Sequence, residues 1–232
     1  MKDISCWESK FETCFYSNRL LGKILNLNNI LQDKIDITEI KKAIYYAKKY
    51  HGKQKRQSGE PYYSHPLKVA EMVSNYNYKT TILVTSILHD TLEDTALTKE
   101  MINHIFSPII ANNVESLTRV KADRKISATE IIEYLWINKQ TDLLLIKLLD
   151  RIHNLETIKV KSRENINKIL EETMQKFISL SMHLRSVIPK INVENKIINL
   201  CYKNLLIKKT KQSELEMNLN DDFKLPLLGA WN

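Results

Sequence analysis

The sequence predicts an all-α protein, and three observations carry this prediction. The 232-residue chain contains only four glycines and five prolines, few for a β-sandwich or a doubly wound sheet. Its apolar residues recur three and four positions apart over long stretches, which is typical of one face of a helix. Hydrophobic residues make up 43% of the chain and charged residues 27%, as in an ordinary globular protein.

Two helices are predicted before the first long polar loop. Apolar spacing predicts a helix over Asn18–Leu31, and residues 1–35 are interpreted as an N-terminal helical extension. Asp36 is predicted to cap the next helix, with Glu39 as its capping-box partner. That helix is expected to end near Gly52, because glycine commonly follows the last helical residue.

The middle of the chain begins with a polar loop over residues 53–65. Helix starts are then predicted at Pro66, Thr80, Thr98 and Pro108. The last of these helices is expected to end near Leu117. The helix from Thr80 is strongly apolar, yet it is predicted to carry a His-Asp pair near its end.

The second half of the chain is also predicted to be helical. Ser127 and Glu130 have the spacing of a capping box at a helix start. Further helices are predicted over residues 142–158, 164–187 and 193–208. We therefore interpret residues 36–208 as one helical domain. Residues 209–232 form a C-terminal tail to which the sequence assigns no role.

Composition bears on the cell compartment and on the kind of partner. The formal charge is +8, but the lysines are spread along the chain and are not interleaved with aromatic residues, so we do not expect a nucleic-acid-binding protein. A basic surface would still attract a highly charged small substrate. The three cysteines lie far apart without CxxC spacing, which suits a reducing cytoplasm. Neither a signal peptide nor an apolar run of the ~18 residues needed for a membrane span is evident.

The most informative segment is Ile82–Asp94, an apolar stretch that ends in a cluster of titratable residues. The cluster consists of His89, Asp90, Glu93 and Asp94. Spacings of three and four place such residues on one helix face if helical pitch continues through Leu92. Burying these groups without a partner costs several kcal/mol each, so they require a metal ion, a counter-charge or water.

Two distant residues offer matching chemistry. His65 precedes Pro66, and Asp150 lies in the most apolar predicted helix. Taken alone, His65 also fits a turn histidine, and Asp150 also fits an ion pair with Arg151. The joint occurrence of these residues with the His-Asp pair, in or beside apolar helices, favours a metal centre. Two imidazoles and two carboxylates suit Mn²⁺, Fe²⁺, Co²⁺ or Zn²⁺.

A metal ion in such a site would activate water and polarise a phosphoryl oxygen. A general base is then required beside the water, and Glu93 and Asp94 are the carboxylates at hand. On the helix of Asp150, Asn154 follows four residues later and Thr157 three beyond that, which makes a second polar stripe. The pattern predicts a metal-dependent phosphohydrolase.

Four segments of the chain resemble the hydrolase domain of the RelA/SpoT family of alarmone enzymes, a branch of the HD superfamily. In the order of the family they are HGKQKRQSGEPYYSHPLKVA, SILHDTLEDT, VESLTRV and IKLLDRIHNLETI. They extend from His51 to Thr157, about half of the chain. The resemblance implies an HD-domain helical bundle over residues 36–208.

The resemblance also implies roles for particular residues. The implied metal ligands, usually for one Mn²⁺ ion, are His65, His89, Asp90 and Asp150. The residues implied to activate the hydrolytic water are Glu93 and Asp94. Arg56 would stack on the guanine base, and Ser58 would support the same loop. The ribose or the 3′-phosphates would be contacted by Asn154 and Thr157.

The implied reaction is hydrolysis of the 3′-pyrophosphate of ppGpp or pppGpp, which gives GDP or GTP and pyrophosphate and lowers the stringent-response alarmone. A guanosine nucleotide is thus the implied small-molecule partner. Long family members carry a synthetase domain after the hydrolase domain. No Gly-rich phosphate loop or synthetase-like strand pattern follows Thr157, so hydrolysis without synthesis is expected.

The chain departs from the family at three positions. Gln57 stands where the family usually has lysine, Ser107 where it has glycine, and Leu149 where it has a small residue. Arg119 keeps a cation in the third matching segment. Two alternatives remain: a phosphohydrolase for another nucleotide, such as a nicotinamide dinucleotide phosphate, and a non-catalytic regulatory remnant of a longer protein. The intact ligand set argues against the second.

Overall fold

The structure is a computed structural model that describes residues 7–121 and 124–205. Most of these residues are helical. Within these ranges the α-helices are α1 (Phe15–Ile30), α2 (Ile37–His51), α3 (Ser64–Val73), α4 (Thr80–Leu88), α5 (Thr91–Asp94), α6 (Lys99–Ile105), α7 (Pro108–Leu117), α8 (Ala128–Ile137), α9 (Thr141–Glu156), α10 (Arg163–Glu172), α11 (Ile178–Val187) and α12 (residues 194–205). A π-helical turn, Thr173–Phe177, joins α10 to α11, and 3-10 turns cover Glu8–Lys10 and Ile158–Val160. The all-α prediction is confirmed.

The short strands β1 (Val120–Lys121) and β2 (Arg124–Lys125) pair antiparallel, with Val120 opposite Lys125. They lie between α7 and α8. Within the described ranges, the remaining β pairing is one isolated bridge between Lys55 and Pro61. This bridge closes the loop between α2 and α3, where Gly59 adopts a φ of 90° that glycine tolerates readily.

The core is organised around α4 and α9. Helix α4 packs against α2, α3, α7 and α9, and α9 also contacts α8 and α11. Leu83, Val84, Ile87 and Leu88 of α4 are fully buried. Burial on every side explains why α4 is apolar around its whole circumference rather than along one stripe. Helix α1 packs on α2 and α3 and contributes Leu20 and Ile24 to the same core.

Most predicted helix ends are confirmed by capping contacts. Ser127 and Glu130 form the expected capping box at α8, and the Thr98 and Ser107 hydroxyls cap α6 and α7. The Asp36 carboxylate caps α2, and Gly52 follows its last residue. Half of the predicted capping box with Glu39 forms, because the Asp36 carboxylate accepts from the Glu39 backbone N–H (3.1 Å). The reciprocal bond does not form: the Asp36 N–H donates to Thr80 Oγ1 (2.9 Å), while the Glu39 carboxylate accepts from Lys42.

Two other expectations near the site are corrected. The sequence predicts His65 in a loop, but it lies in the first turn of α3, which begins at Ser64. Helical pitch does not continue through Leu92 from α4: His89 follows the last residue of α4, and Asp90 precedes a separate helix, α5, with φ −108° and ψ −3°. The His-Asp pair therefore lies at the junction of two helices.

The ends of the chain bear on the predicted divisions of the sequence. The predicted helix over residues 193–208 corresponds to α12, which covers residues 194–205. The tail 209–232 lies outside the described residues. The division at residue 36 stays a prediction. No helix in the described ranges is long and apolar enough to cross a bilayer.

Candidate metal centre and cavity

Three of the four predicted metal ligands meet at one point. His65 of α3, His89 at the end of α4 and Asp150 of α9 bring ligand atoms within 4.8 Å of one another. The Oδ1 atom of Asp150 lies 3.0 Å from Nε2 of His65 and 3.9 Å from Nε2 of His89. Residues separated by 85 positions in sequence are thus gathered because α3, α4 and α9 pack together.

Hydrogen bonds fix the ring orientation of both histidines. Nδ1 of His89 donates to the Ser86 carbonyl oxygen (2.8 Å), because a carbonyl can only accept. The Nε2 lone pair of a neutral His89 is then left for a metal ion. Nδ1 of His65 lies 2.7 Å from Nδ1 of His153. Burial, with the nearby charges of His65 and Arg56, lowers the pKa of His153 to about 3, so its neutral ring can accept this bond.

The carboxylates of the site are held ionised. Burial opposes the charge of Asp150, but its contact with His65 and the charges of His65, His89 and Lys147 outweigh burial and place its pKa far below the usual range. Burial likewise opposes the charge of Asp90, and the surrounding histidines nevertheless lower its pKa. A divalent ion binds ionised carboxylates and neutral imidazoles, so at this site it would take the place of the histidine charges that face Asp90 and Asp150.

The fourth predicted ligand, Asp90, lies outside the group of three, with one oxygen engaged and one not. Oδ1 lies 3.3 Å from Nε2 of His51. Oδ2 is buried and has no hydrogen-bond partner. A buried acceptor without a partner costs roughly 1–3 kcal/mol, and more when charged, so this atom is suited to a cation. The donor set of two imidazoles and two carboxylates therefore fits a divalent metal ion.

The two predicted water-activating residues flank the metal centre from α5. Glu93 Oε2 accepts from the Arg119 backbone N–H (3.3 Å), and Asp94 Oδ2 accepts from the Tyr62 hydroxyl (2.6 Å). Burial and the charges of Asp90 and Glu93 raise the pKa of Asp94, although the Tyr62 bond opposes this rise. A carboxylate with a raised pKa is a better proton acceptor than a free one.

These residues line one cavity of about 630 Å³. Its buried inner end contains His65, His89 and Asp150, and its walls carry several cations, among them Arg56, Arg119, Arg151 and Lys168. The volume lies within the range of small-molecule sites. Cations on the walls favour a ligand with several negative charges.

The structure brings the four predicted substrate-binding residues to the same cavity. Nη2 of Arg56 donates to Thr157 Oγ1 (3.2 Å) and lies 3.5 Å from Asn154 Oδ1, while Ser58 lines the cavity as an exposed residue. Nδ2 of Asn154 donates to Asp150 Oδ1 (2.7 Å). Asn154 thereby links Arg56 to Asp150.

The three departures from the family have different surroundings. Gln57 lines the cavity, so the missing positive charge affects the ligand environment directly. Ser107 has an extended φ of −168° and caps α7 through its hydroxyl, which accepts from the Ile110 N–H. Leu149 is 2% exposed and belongs to the hydrophobic core.

Sequence reasoning missed several residues of the site. His51 and Gln54 contact Asp90 and Asp94, His153 contacts His65, and the buried Lys147 donates to the Leu117 carbonyl. A signal existed for His153, which lies three residues after Asp150 and hence on the same face of α9. No local spacing signals that His51 meets Asp90, because the two are 39 residues apart.

Comparisons with known proteins agree with this geometry. The HD domain family matches residues 43–184. The guanosine-3′,5′-bis(diphosphate) 3′-pyrophosphohydrolase of Spiroplasma citri is 32% identical over 195 residues, covering 80% of this chain and 26% of its own length. The enzyme of the same name from Aquifex aeolicus is 38% identical over 149 residues (63% and 21%). The GTP pyrophosphokinase rsh of Brucella ovis is 37% identical over 156 residues (64% and 21%).

The chain thus spans between 21% and 26% of the length of these relatives. A solved structure described as a metazoan ortholog of SpoT that hydrolyses ppGpp aligns with a TM-score of 0.58 at 22% identity, covering 74% of this chain and 98% of that one. This likeness shows a shared fold. The chain belongs to the HD-domain family, and the domain that it carries is of the RelA/SpoT type.

Proposed function

We propose that the protein hydrolyses the 3′-pyrophosphate of ppGpp and pppGpp, with one Mn²⁺ ion as cofactor, to give GDP or GTP and pyrophosphate. The observation that carries the proposal is the unpartnered Oδ2 of Asp90 beside the His65, His89 and Asp150 cluster, at the inner end of a cavity with cationic walls. The names of the RelA/SpoT-type relatives support the same reaction.

Each residue then has a definite task. The ion would be held by His65, His89, Asp90 and Asp150. When bound, it supplies Lewis-acid stabilisation of charge on the phosphoryl oxygens and makes water a stronger acid. Glu93 and Asp94 accept the proton of the attacking water, for which the raised pKa of Asp94 is favourable.

The outer residues bind the nucleotide. The planar guanidinium of Arg56 stacks on the guanine, and Ser58 supports the same loop. Asn154 and Thr157 contact the ribose or the 3′-phosphates, exchanging their present contacts with Arg56 for contacts with the substrate. The exposure of Ser58 and Gln57 at the mouth leaves room for a base to enter.

Turnover of ppGpp by the purified chain with Mn²⁺ tests the proposal, with GDP and pyrophosphate as the measured products. We expect turnover by the unmodified chain, none by the Asp90→Ala variant, and full turnover by the control Asp33→Ala, which changes an exposed aspartate of the loop between α1 and α2. Absence of turnover by the unmodified chain with bound Mn²⁺ would contradict the proposal. Faster release of phosphate from NADPH than of pyrophosphate from ppGpp would favour the alternative nucleotide.

The expectation that the chain does not synthesise the alarmone, and its cytoplasmic location, stay predictions from the sequence. Incubation with ATP and GDP or GTP tests the first: we expect no ppGpp or pppGpp to form. Formation of either product would show that the expectation is wrong, whatever the outcome of the hydrolysis assay.

A further inference from the structure

His51 is a buried histidine beside the metal centre for which the proposed reaction has no direct use. It is the last residue of α2, is 1% exposed, and does not line the cavity formed by the described residues. Its Nε2 atom lies 3.3 Å from Asp90 Oδ1. Its ring stacks on that of Tyr62, with centroids 4.7 Å apart and an interplanar angle of 21°.

The hydrogen-bond partners of Gln54 show which ring nitrogens of His51 are hydrogen-bond donors. Nε2 of Gln54 lies 2.8 Å from the Asp94 carbonyl oxygen, which can only accept, so the amide nitrogen faces Asp94. The amide oxygen then faces Nδ1 of His51 at 2.9 Å, and Nδ1 must be the donor. The remaining nitrogen, Nε2, faces a carboxylate oxygen that also accepts, so His51 donates through both ring nitrogens.

We propose that His51 is a positioning residue for the metal ligand Asp90: it holds Oδ1 and thereby presents Oδ2 to the ion. The inference rests on the metal centre of the proposed function. Asp90 has special need of such a partner because it lies at the junction of α4 and α5, where its side chain makes no capping hydrogen bond to hold it. Partners behind metal ligands typically contribute 10- to 100-fold to metal affinity or activity.

The same contacts extend to the predicted general base. Gln54 ties the His51 ring to the backbone of Asp94, and the Tyr62 hydroxyl donates to the Asp94 carboxylate. His51, Gln54 and Tyr62 therefore join Asp90 and Asp94 across the break between α4 and α5. A ligand and a base held by one network keep a constant separation, which the attack of water requires.

Two substitutions separate the two hydrogen bonds of His51. In His51→Gln the amide nitrogen can take the place of Nε2 and still donate to Asp90, whereas in His51→Asn the shorter amide replaces Nδ1 and the donor to Asp90 is lost. We expect His51→Asn to weaken Mn²⁺ binding by about 10- to 100-fold. His51→Gln should bind Mn²⁺ nearly as well as the unmodified chain.

The measurement is Mn²⁺ titration of the full chain without nucleotide, followed by the electron paramagnetic resonance signal of free Mn²⁺. His104→Asn, which changes an exposed histidine of α6, is the matched control. Thermal unfolding of each variant shows whether it is folded. At saturating Mn²⁺, His51→Asn should lower kcat for ppGpp and leave KM nearly unchanged, because His51 does not line the cavity.

The outcomes distinguish this inference from the proposed function. Mn²⁺ binding by folded His51→Asn that equals that of the unmodified chain would overturn the inference even if ppGpp is hydrolysed. Equal loss of Mn²⁺ affinity in the Asn and Gln variants would also overturn it, since packing and not donation to Asp90 would then matter. Failure of ppGpp turnover with the expected Mn²⁺ affinities would leave the role of His51 intact and contradict the substrate assignment.

The link to Asp94 has its own test in Gln54→Leu, which changes an exposed residue and keeps its approximate size. This variant should lower kcat for ppGpp and should weaken Mn²⁺ binding less than His51→Asn does, because His51 keeps its Nε2 donor to Asp90 although its Nδ1 loses the Gln54 acceptor. An unchanged kcat would restrict the role of the network to Asp90.

Discussion

The inner end of the cavity and its mouth are built on different principles. At the inner end, His65 and His89 are 4% and 5% exposed, lie in or directly after helices, and have each Nδ1 atom in a hydrogen bond. At the mouth, Gln57 and Ser58 are exposed and belong to the loop between α2 and α3, closed by a single β bridge. The first region is fixed by packing, and the second by a few polar contacts.

The difference indicates how the two ends divide the work of the site. Reactive groups must be held in place before the substrate arrives, since reorganisation during the reaction raises the barrier. Base recognition tolerates movement, and loops at the edge of a rigid scaffold commonly supply it. Substitutions at the inner end should therefore act on metal binding and kcat, and substitutions at the mouth on KM.

The largest effect is expected for Asp150→Asn. The side chain keeps its shape, but it loses the negative charge that faces His65 and His89. We expect Mn²⁺ affinity and kcat each to fall by more than about 100-fold, beyond the range for an outer partner. Mn²⁺ titration and ppGpp turnover measure both. The control is Asp142→Asn on the same helix, where the carboxylate pairs with Lys79. A similar loss of Mn²⁺ affinity and kcat in this variant would contradict the assignment of metal binding to the inner end.

Glu93→Gln should lower kcat without removing the metal ion. The amide keeps the contact of Glu93 with the Arg119 N–H but cannot accept a proton from water. Loss of a general base typically lowers the rate by about 10²- to 10⁴-fold. Mn²⁺ affinity should stay close to that of the unmodified chain, and Glu100→Gln, an exposed residue of α6, should change neither quantity. If kcat were unaffected, Asp94 would be the base by itself.

The contrast between features set by local chemistry and features set by packing also explains which parts of the structure could be predicted from the sequence. Helix starts such as Pro108 and the Ser127–Glu130 capping box follow from local chemistry, and the structure confirms them. Three of the four predicted ligands, His65, His89 and Asp150, lie together, because residues buried in apolar helices must find partners. The break after Leu88 was not predicted, since the Thr91 hydroxyl that binds the Leu88 carbonyl there suits a helix equally well.

Helical periodicity could not predict contacts between elements that are distant in sequence. Helical spacing relates residues three and four apart, whereas His51 reaches Asp90 across 39 residues and His65 reaches His153 across 88. The Asp36 backbone N–H likewise donates to Thr80 rather than to the Glu39 side chain, which only the packing of α2 on α4 explains. The roles of the site residues themselves stay proposals until variants are assayed.

Arg56→Ala tests whether the mouth of the cavity acts on KM. Loss of a stacked guanidinium should raise KM for ppGpp about tenfold, equivalent to about 1.4 kcal/mol, with a smaller change in kcat. Arg56→Lys keeps the charge but not the planar surface, so it should also raise KM if stacking on the base matters. Steady-state kinetics at saturating Mn²⁺ measure both variants. A fall in kcat with unchanged KM would place Arg56 with the inner end and contradict the division of function between the two ends of the cavity.

The smallest effect is expected for Tyr62→Phe, at the boundary between the two regions. The Tyr62 hydroxyl donates to Asp94 and lowers the pKa of that carboxyl, while burial and the charges of Asp90 and Glu93 raise it. Removing the hydroxyl therefore raises the pKa of Asp94 further. A general base works only when it is ionised, so activity falls as pH falls through this pKa.

The acid limb of the kcat profile of Tyr62→Phe should thus move to higher pH, by less than roughly one unit, while the plateau at higher pH falls only slightly, because Gln54 still holds the backbone of Asp94. Tyr50→Phe is the matched control, since the Tyr50 hydroxyl faces Met101 rather than the cavity. A limb that stays in place would mean that protonation of Asp94 does not limit the rate, leaving Glu93 as the base. A fall in the plateau with no shift would mean that Tyr62 supports the geometry of the site rather than its proton equilibrium.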